Sequence, residues 1–270
     1  NRYLLAPMLE PNDIAFRILC KKAGCALTYT GMTNTLSKQK IILDDKPALQ
    51  LFSNNTKGIK EFIKKYDKKV SLWDFNLGCP SKISRRLSHG AFLQKETKKI
   101  ENIIKEIKSS TEKPISIKLR KSNNSIKIAK IAQKYVDAIG IHPRTVDQGY
   151  SGIADYSFAK KLKSKISVPV IYSGDVNEKN ADNILKDFDF IFIGRAAIGN
   201  PNIFSTLTKS KTNITFSDYL RIAKKYKIYF RQIKYQAIAF TKGNRRAKQL
   251  RSSLIKAKSI IDIEKIMQNL

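Results

Sequence analysis

VSLWDFNLGCPS, residues 70–81, is an apolar run that stops in Gly78-Cys79-Pro80. A core cysteine would sit inside such a run, whereas this one stands where a strand ends. Similar runs recur along the chain: YLLAPM (3–8), ALTYT (26–30), ALQLF (48–52), PISIKL (114–119), DAIGIH (137–142), VPVIYS (168–173) and FDFIFIG (188–194). Near-continuous apolar runs are the signature of buried parallel strands. Helix-like segments lie between most of them, at 11–23, 56–66, 95–109, 124–134, 155–163 and 177–186. Eight strands with intervening helices in about 200 residues predict a (β/α)8 barrel, the TIM-barrel architecture. A doubly wound open sheet is the alternative, but no GxGxxG or Walker motif follows an early strand.

After residue 204 the pattern turns wholly helical. Residues 215–240 carry apolar positions at helical spacing, KGN (242–244) breaks them, and 245–257 and 262–270 read as two more helices. The expected division is a barrel over 1–204 and a small all-α domain over 205–270. Charge follows the same line. The chain holds 52 Lys plus Arg against 22 Asp plus Glu, a net +30. Residues 205–270 hold 16 basic and 3 acidic residues, about twice the cationic density of the rest. A Lys-rich compositional habit would explain Lys in place of Arg but not the shortage of acids. Such a field attracts polyanions and points to nucleic acid. Lys224, Lys225, Arg231, Lys234, Arg245, Arg246, Lys248 and Arg251 are the phosphate-contact candidates. The aromatics Tyr219, Tyr226, Tyr229, Phe230, Tyr235 and Phe240 read as helix core.

No run of 18 apolar residues is present and no signal segment precedes residue 3, so a cytoplasmic protein without a membrane span is expected. Three cysteines without a CxxC fit a reducing compartment, and two histidines make a metal site unexpected. A monomer is the default.

In a barrel of this kind chemistry gathers at the C-terminal strand ends. Those ends hold Pro7 and Met8, Gln50, Asn76 to Cys79, Lys118 and Arg120, His142 to Arg144, Ser173-Gly174-Asp175, and Gly194-Arg195. Each alone has an ordinary structural reading. Six polar strand ends turned toward one mouth are costly unless a ligand meets them. Glycine-rich loops after the last two strands form the usual phosphate site of such barrels, and Arg195 adds a charged donor. Lys118 beneath a planar ring would hold negative charge on it. The ligand this predicts is flavin mononucleotide (FMN).

These residues carry a resemblance. LAPMLEPNDIAFRILCKKAG (5–24), FNLGCPSKISRRLSHGAFL (75–93), SIKLR (116–120), IHPRTVDQGYSGIADYSFAKKLK (141–163), VPVIYSGDV (168–176) and FIFIGRAAIGNPNIF (190–204) are similar, in order, to the tRNA-dihydrouridine synthases. KYQAIAFTKGNRRAKQLR (234–251) weakly resembles that family's helical tRNA-binding domain. The resemblance implies an FMN-dependent barrel that reduces the C5–C6 bond of a tRNA uridine, with NADPH or NADH as reductant. It implies that Pro7, Met8 and Leu9 flank the flavin, that Gln50 and Lys118 hold its polar edge, and that His142 sits near its pyrimidine side. Ser173, Gly174, Asp175, Gly194 and Arg195 would hold ribityl and phosphate. Asn76 and Arg120 would face the uracil with Arg144 nearby, and Cys79 matches the family's active-site cysteine. The chain departs from the family at Ser173, commonly Asn, and at Pro143, commonly Gly, which stiffens the turn and changes what Arg144 reaches.

Reducing a uracil double bond takes a hydride at C6 and a proton at C5. A free thiol ordinarily titrates near pH 8.5, so it is mostly protonated at neutral pH and can serve as general acid. Cys79 on a loop above the ring suits that task and a base drawn out of its stack, while Cys20 and Cys25 are expected to be structural. Two other readings stay open: an FMN barrel acting on a free pyrimidine, similar to the dihydroorotate dehydrogenases, and a non-catalytic RNA-binding barrel. The charge argues against the first and the polar strand ends against the second.

Overall fold

Parallel strands need long crossovers, and the helical stretches between the apolar runs supply them. A computed structural model describes residues 1–268. Its strands are β1 (Tyr3–Leu5), β2 (Leu27–Thr28), β3 (Thr33–Asn34), β4 (Ala48–Phe52), β5 (Leu72–Leu77), β6 (Ile115–Arg120), β7 (Ala138–His142), β8 (Val170–Ser173) and β9 (Phe190–Ile193). All pairings are parallel, in the order β2-β1-β9-β8-β7-β6-β5-β4-β3. Tyr29 bridges to Ala48, and the Thr30 N–H donates to the Ala48 carbonyl at 2.9 Å. β2 and β3 therefore form one interrupted stave, and the sheet closes into the eight-staved barrel.

Alternation along each strand sorts the side chains. Trp73, Phe75 and Leu77 of β5, with Ile115, Ile117 and Leu119 of β6, join the large apolar core that the surrounding helices share. The opposite set, Leu4, Ala6, Tyr29, Ala48, Ile171 and Phe192, forms a separate apolar cluster inside the barrel. Gly140 makes room there, since a Cβ would stand 2.9 Å from the Phe192 ring and 3.4 Å from the Lys118 stem. The outer layer is α1 (Ile14–Lys22), α2 (Ile59–Tyr66), α3 (Lys82–Arg86), α4 (Thr97–Ser110), α5 (Ser125–Ala132), α6 (Tyr156–Lys163), α7 (Ala181–Asp187) and α8 (Ile203–Thr208). α4 shows why these helices dock: Ile100, Ile103, Ile104 and Ile107 share one buried face. Each contributes roughly 1.5–3 kcal/mol by leaving water.

Four helices follow: α9 (Phe216–Lys225), α10 (Phe230–Phe240), α11 (Ala247–Lys256) and α12 (Ile260–Met267). The single helix expected over 215–240 is thus two. Lys227 adopts a left-handed φ of 52°, and the Ile228 N–H turns back to the Ala223 carbonyl at 2.9 Å, ending α9 without a glycine or proline to announce it. α12 starts two residues before the expected 262, because Ser259 and Asp262 form a capping box. The end of that expected helix, Asn269 and Leu270, lies outside the described residues. The expected boundary at 204 falls within α8, which packs on the barrel: Ser205 Oγ donates to the Ala23 carbonyl at 3.3 Å. Among the described residues no helix is long and apolar enough to cross a membrane.

Candidate active site

The strand ends open onto a cavity of about 830 Å³. Small-molecule sites run from roughly 300 to 1,000 Å³, so this one has room for a fused ring system and a further ring. Pro7, Met8, Leu9, Gln50, Cys79, Lys118, His142, Ser173, Gly174, Asp175, Gly194 and Arg195 all line it, as do Asn76 and Arg120. Arg144 does not line it. That residue is buried behind the mouth, where its guanidinium donates to the carbonyls of Ser151 (3.1 Å) and Gly152 (2.6 Å) and to Asp175. Pro143 shapes this turn, and its carbonyl accepts the Asp155 N–H at 2.8 Å.

The cavity floor is polar and bonded. Asp74 points into the barrel from β5 and accepts from Ser116 Oγ (2.5 Å) and Gln50 Nε2 (2.6 Å). Gln50 Oε1 accepts from Asn76 Nδ2 (2.7 Å), and Asn76 Oδ1 accepts the N–H groups of Gly78 (3.1 Å) and Cys79 (3.0 Å). Burial pushes the Asp74 carboxyl up to about 7 against the pull of these bonds and of Lys118. Burial, with Arg120 nearby, lowers the Lys118 ammonium to about 8. Its Nζ faces the Phe192 ring at 5.8 Å and meets no hydrogen-bond acceptor among the described residues. Burial and the cations Lys118, Arg120, Arg144 and Arg195 hold His142 down at about 2, so its ring is neutral.

Cys79 sits between Pro80 and Gly78 at the cavity edge. Gly90 allows this: at φ 60° it has no Cβ, which would stand 2.8 Å from the Cys79 carbonyl oxygen. Cys20 and Cys25 are buried in the core, and burial raises both thiols. Across the mouth, Asp175 (φ 52°) accepts from Arg195 Nη2 at 2.6 Å while also holding Arg144. Arg120 donates through Nε to the Gly78 carbonyl (2.8 Å) and through Nη1 to Thr145 and Gly149 (3.1 and 2.9 Å), so it ties the Cys79 loop to the loop after β7.

Asp74, Met32, Tyr150 and Lys242 stand outside the residues expected from the sequence. Tyr150 is exposed over the mouth, with Arg195 and Arg120 at 5.1 and 5.8 Å from its ring. Lys242 reaches the cavity rim from the turn after α10; the KGN break was its one signal. Of the expected phosphate contacts, Lys224, Lys225, Arg231, Arg245, Arg246, Lys248 and Arg251 are exposed and Lys234 is half-buried. Lys224 pairs with Glu264, Lys234 donates to the carbonyls of Ile255 and Ala257 at the end of α11, and Arg251 donates to Thr241 Oγ1. Tyr219 and Phe240 are core as expected, whereas Tyr229 and Tyr235 stand on the surface.

The site fits a phosphorylated planar cofactor: a flat apolar flank at Met8 and Phe192, an unpaired ammonium beneath, amide edges at Gln50 and Asn76, and glycine loops with Arg195 at the far end. Two solved structures share the architecture. A morphinone reductase mutant superposes with a TM-score of 0.55 at 10% identity, over 81% of this chain and 90% of that one. An old yellow enzyme homologue from Zymomonas mobilis gives 0.55 at 12% identity, over 81% and 92%. At those identities the likeness speaks for the fold alone. In sequence, tRNA-dihydrouridine synthase B of Xanthomonas campestris pv. campestris is 30% identical over 224 residues, 75% of this chain and 68% of that protein. The Pasteurella multocida protein of the same name is 30% identical over 230 residues, 77% and 69%. The sequence profile described as Dihydrouridine synthase (Dus) matches residues 4–264. A match that runs from the first stave of the barrel into α12 places this chain in the dihydrouridine synthase family.

Proposed function

We propose that this protein reduces the C5–C6 double bond of a uridine in tRNA to dihydrouridine, with FMN bound in the barrel mouth and NADPH or NADH as the reductant. The observation that carries this reading is the convergence on one cavity of a thiol, a buried lysine and two glycine loops: Cys79, Lys118, Ser173 to Asp175, and Gly194 with Arg195. Bound FMN would supply the hydride to C6. The chain's own groups do the rest. Lys118 stabilises negative charge on the ring, and its lowered value makes it a responsive cation at neutral pH. Pro7, Met8 and Leu9 exclude water along one flank. Gln50 and neutral His142 direct hydrogen bonds at the polar edge. Ser173, Gly174, Asp175, Gly194 and Arg195 hold the ribityl phosphate. Asn76 and Arg120 orient the uracil, and Cys79 delivers the proton to C5. Arg144 keeps His142 and Asp175 in place from behind and does not touch substrate.

The helical segment after α8 holds the tRNA body through Lys225, Arg231, Arg245, Arg246 and Lys248, and Lys242 carries that positive surface to the mouth. We draw the boundary between the two parts after α8. The reading assigns every role to one chain, hence a monomer, and its free thiols suit a reducing cytoplasm.

The test is Cys79→Ala. The variant is expected to bind FMN and to be reduced by NADPH or NADH, while tRNA uridine reduction falls by about 100-fold or more. Dihydrouridine formation near the wild-type rate would move the acid elsewhere. Reduction of free uracil or orotate in preference to tRNA would favour the small-molecule reading, against which the +30 charge stands.

A further inference from the structure

We infer that Asp74 is a positioning residue that sets the place of the Cys79 thiol through a directed file of hydrogen bonds. The file runs Ser116 Oγ to Asp74 (2.5 Å), Gln50 Nε2 to Asp74 (2.6 Å), Asn76 Nδ2 to Gln50 Oε1 (2.7 Å), and the Gly78 and Cys79 N–H groups to Asn76 Oδ1 (3.1 and 3.0 Å). Asp74, Gln50 and Asn76 are 1%, 2% and 8% exposed, so a lost partner leaves a buried polar group to satisfy.

A side-chain amide keeps its shape when its end is turned over, so its neighbours decide which end carries the oxygen. Asp74 offers an acceptor to Gln50, and Gln50 must turn its NH2 toward it. Gln50 then offers oxygen to Asn76, and Asn76 must turn its NH2 toward Gln50. That leaves the Asn76 oxygen facing the two loop N–H groups. These are donors and need it there. Each link agrees with the next, over residues separated by 24 and 26 positions in the chain. Without the acceptor at position 74, Gln50 and Asn76 lose the group that fixes their direction. Turning them would set NH2 against the Gly78 and Cys79 N–H groups. On the other side the Cys79 carbonyl is fixed by the Ala91 N–H at 3.1 Å, and Gly90 leaves no slack. The loop is therefore aligned from both sides, and the Asp74 file supplies one of them.

This inference rests on Cys79 being the acid, so its test reads the placement of the thiol separately from turnover. In the FMN-loaded protein, iodoacetamide labelling followed by mass spectrometry reports Cys79, because Cys20 and Cys25 are buried. Asp74→Ala is expected to change the Cys79 labelling rate by about tenfold and to slow tRNA uridine reduction about 100-fold, the scale of a 1 Å misplacement. FMN affinity is expected to fall as well, since the file also sets Gln50 at the flavin's polar edge, so turnover is compared at saturating FMN and the labelling rate carries the test. Asp74→Asn is expected to recover most of the loss, because its oxygen can still face Gln50 while its NH2 turns to Ser116. Asn76→Asp sets two carboxylates against Gln50 and is expected to disturb labelling. The double variant Asp74→Asn with Asn76→Asp reverses the whole file and should restore the labelling rate. Wild-type labelling and turnover in Asp74→Ala, or equal damage in Asp74→Ala and Asp74→Asn, would overturn the inference. If Cys79→Ala alone keeps full activity, the acid assignment fails while the labelling result still stands.

Discussion

The Sγ of Cys79 lies 3.5 Å from the Oγ of Ser81, which in turn lies 2.9 Å from the Oγ of buried Ser84. A thiol that has given up its proton must regain one before the next turnover. Ser81 is half-buried on the cavity wall, so its hydroxyl can pass a proton inward from solvent. The same Oγ accepts the Ser84 N–H at 3.1 Å and caps α3. Ser81→Ala is expected to slow steady-state uridine reduction about tenfold while leaving flavin reduction unchanged. The lost cap costs about 1 kcal/mol of stability. Ser81→Asn separates the two effects, because an amide caps the helix but has no proton to relay. Ser81→Thr should recover both. Turnover assays beside urea unfolding check this, and a wild-type rate in Ser81→Ala removes the hydroxyl from the path.

His142 titrates far from neutrality. Arg144 Nη1 stands 3.3 Å from His142 Nε2, and a guanidinium only donates, so Nε2 carries the lone pair and Nδ1 the proton. With the ring held down at about 2, activity should show no imidazole inflection between about pH 5 and 8. Below about 6.5 the unfolded chain takes a proton that the folded ring refuses, so stability falls as pH drops from about 6.5 toward 2. His142→Gln should flatten that slope. Ring 15N shifts that stay neutral at pH 5 would agree, and an imidazolium signal there would contradict it.

Lys118 is a case where binding and stability pull apart. Its ammonium is desolvated, with a value of about 8 in place of the ordinary 10.5. Below pH 8 both states hold the proton and the folded state carries the full penalty. Between 8 and 10.5 the folded state sheds the proton first, and the native state gains stability as pH rises. Lys118→Met should therefore stabilise the cofactor-free protein at pH 7 by roughly 1–3 kcal/mol and remove the rise above pH 8. FMN affinity should drop by about tenfold or more, as expected when a strained functional charge is relaxed. Thermal melts and fluorescence titration check the two halves, and lower stability of the variant at pH 7 would show that the ammonium has a partner to lose.

Much of the barrel was legible because burial writes itself into local runs. ALQLF at 48–52 matches β4 residue for residue, and the polar ends at His142, Ser173 and Arg195 arrive at one mouth because parallel staves must present their C-terminal ends together. Asp74 was not legible. Inside an apolar run it looks like an interruption, and its meaning lies in Gln50 and Ser116, brought beside it by register between neighbouring strands. Arg144 was misjudged for a related reason. Its place after His142 puts it near the mouth, but the loop over 145–152 curls back and offers carbonyls that take its donors first. Lys242 and Tyr150 enter on loops, whose paths no periodicity records. The break at Lys227 lacks the usual glycine, since a lysine took the left-handed position.

The helical part is held to the mouth by backbone contact. Gly199, on the loop after β9, adopts φ 69°, and a Cβ there would stand 2.1 Å from the carbonyl oxygen of Ala239 in α10. Backbone thus meets backbone, and only glycine permits it. Nearby, Asp13 Oδ2 accepts from Tyr219 OH (3.3 Å), Gln232 Nε2 (3.2 Å) and Gln236 Nε2 (3.1 Å), pinning α9 and α10 to the N-cap of α1. Lys242 follows α10 by two residues, so any shift of α10 moves this cation away from the rim. Gly199→Ala is expected to destabilise the protein by about 2 kcal/mol or more, through both strain and lost contact. In the fraction that folds, FMN should bind normally while tRNA affinity falls about tenfold, with a shallower salt dependence as phosphate contacts are lost. Asp13→Ala should act in the same direction through its three orphaned donors. Binding titrations at several salt concentrations decide the matter: a Gly199→Ala protein that keeps both wild-type tRNA affinity and wild-type salt slope would mean that the basic surface works without being fixed to the mouth.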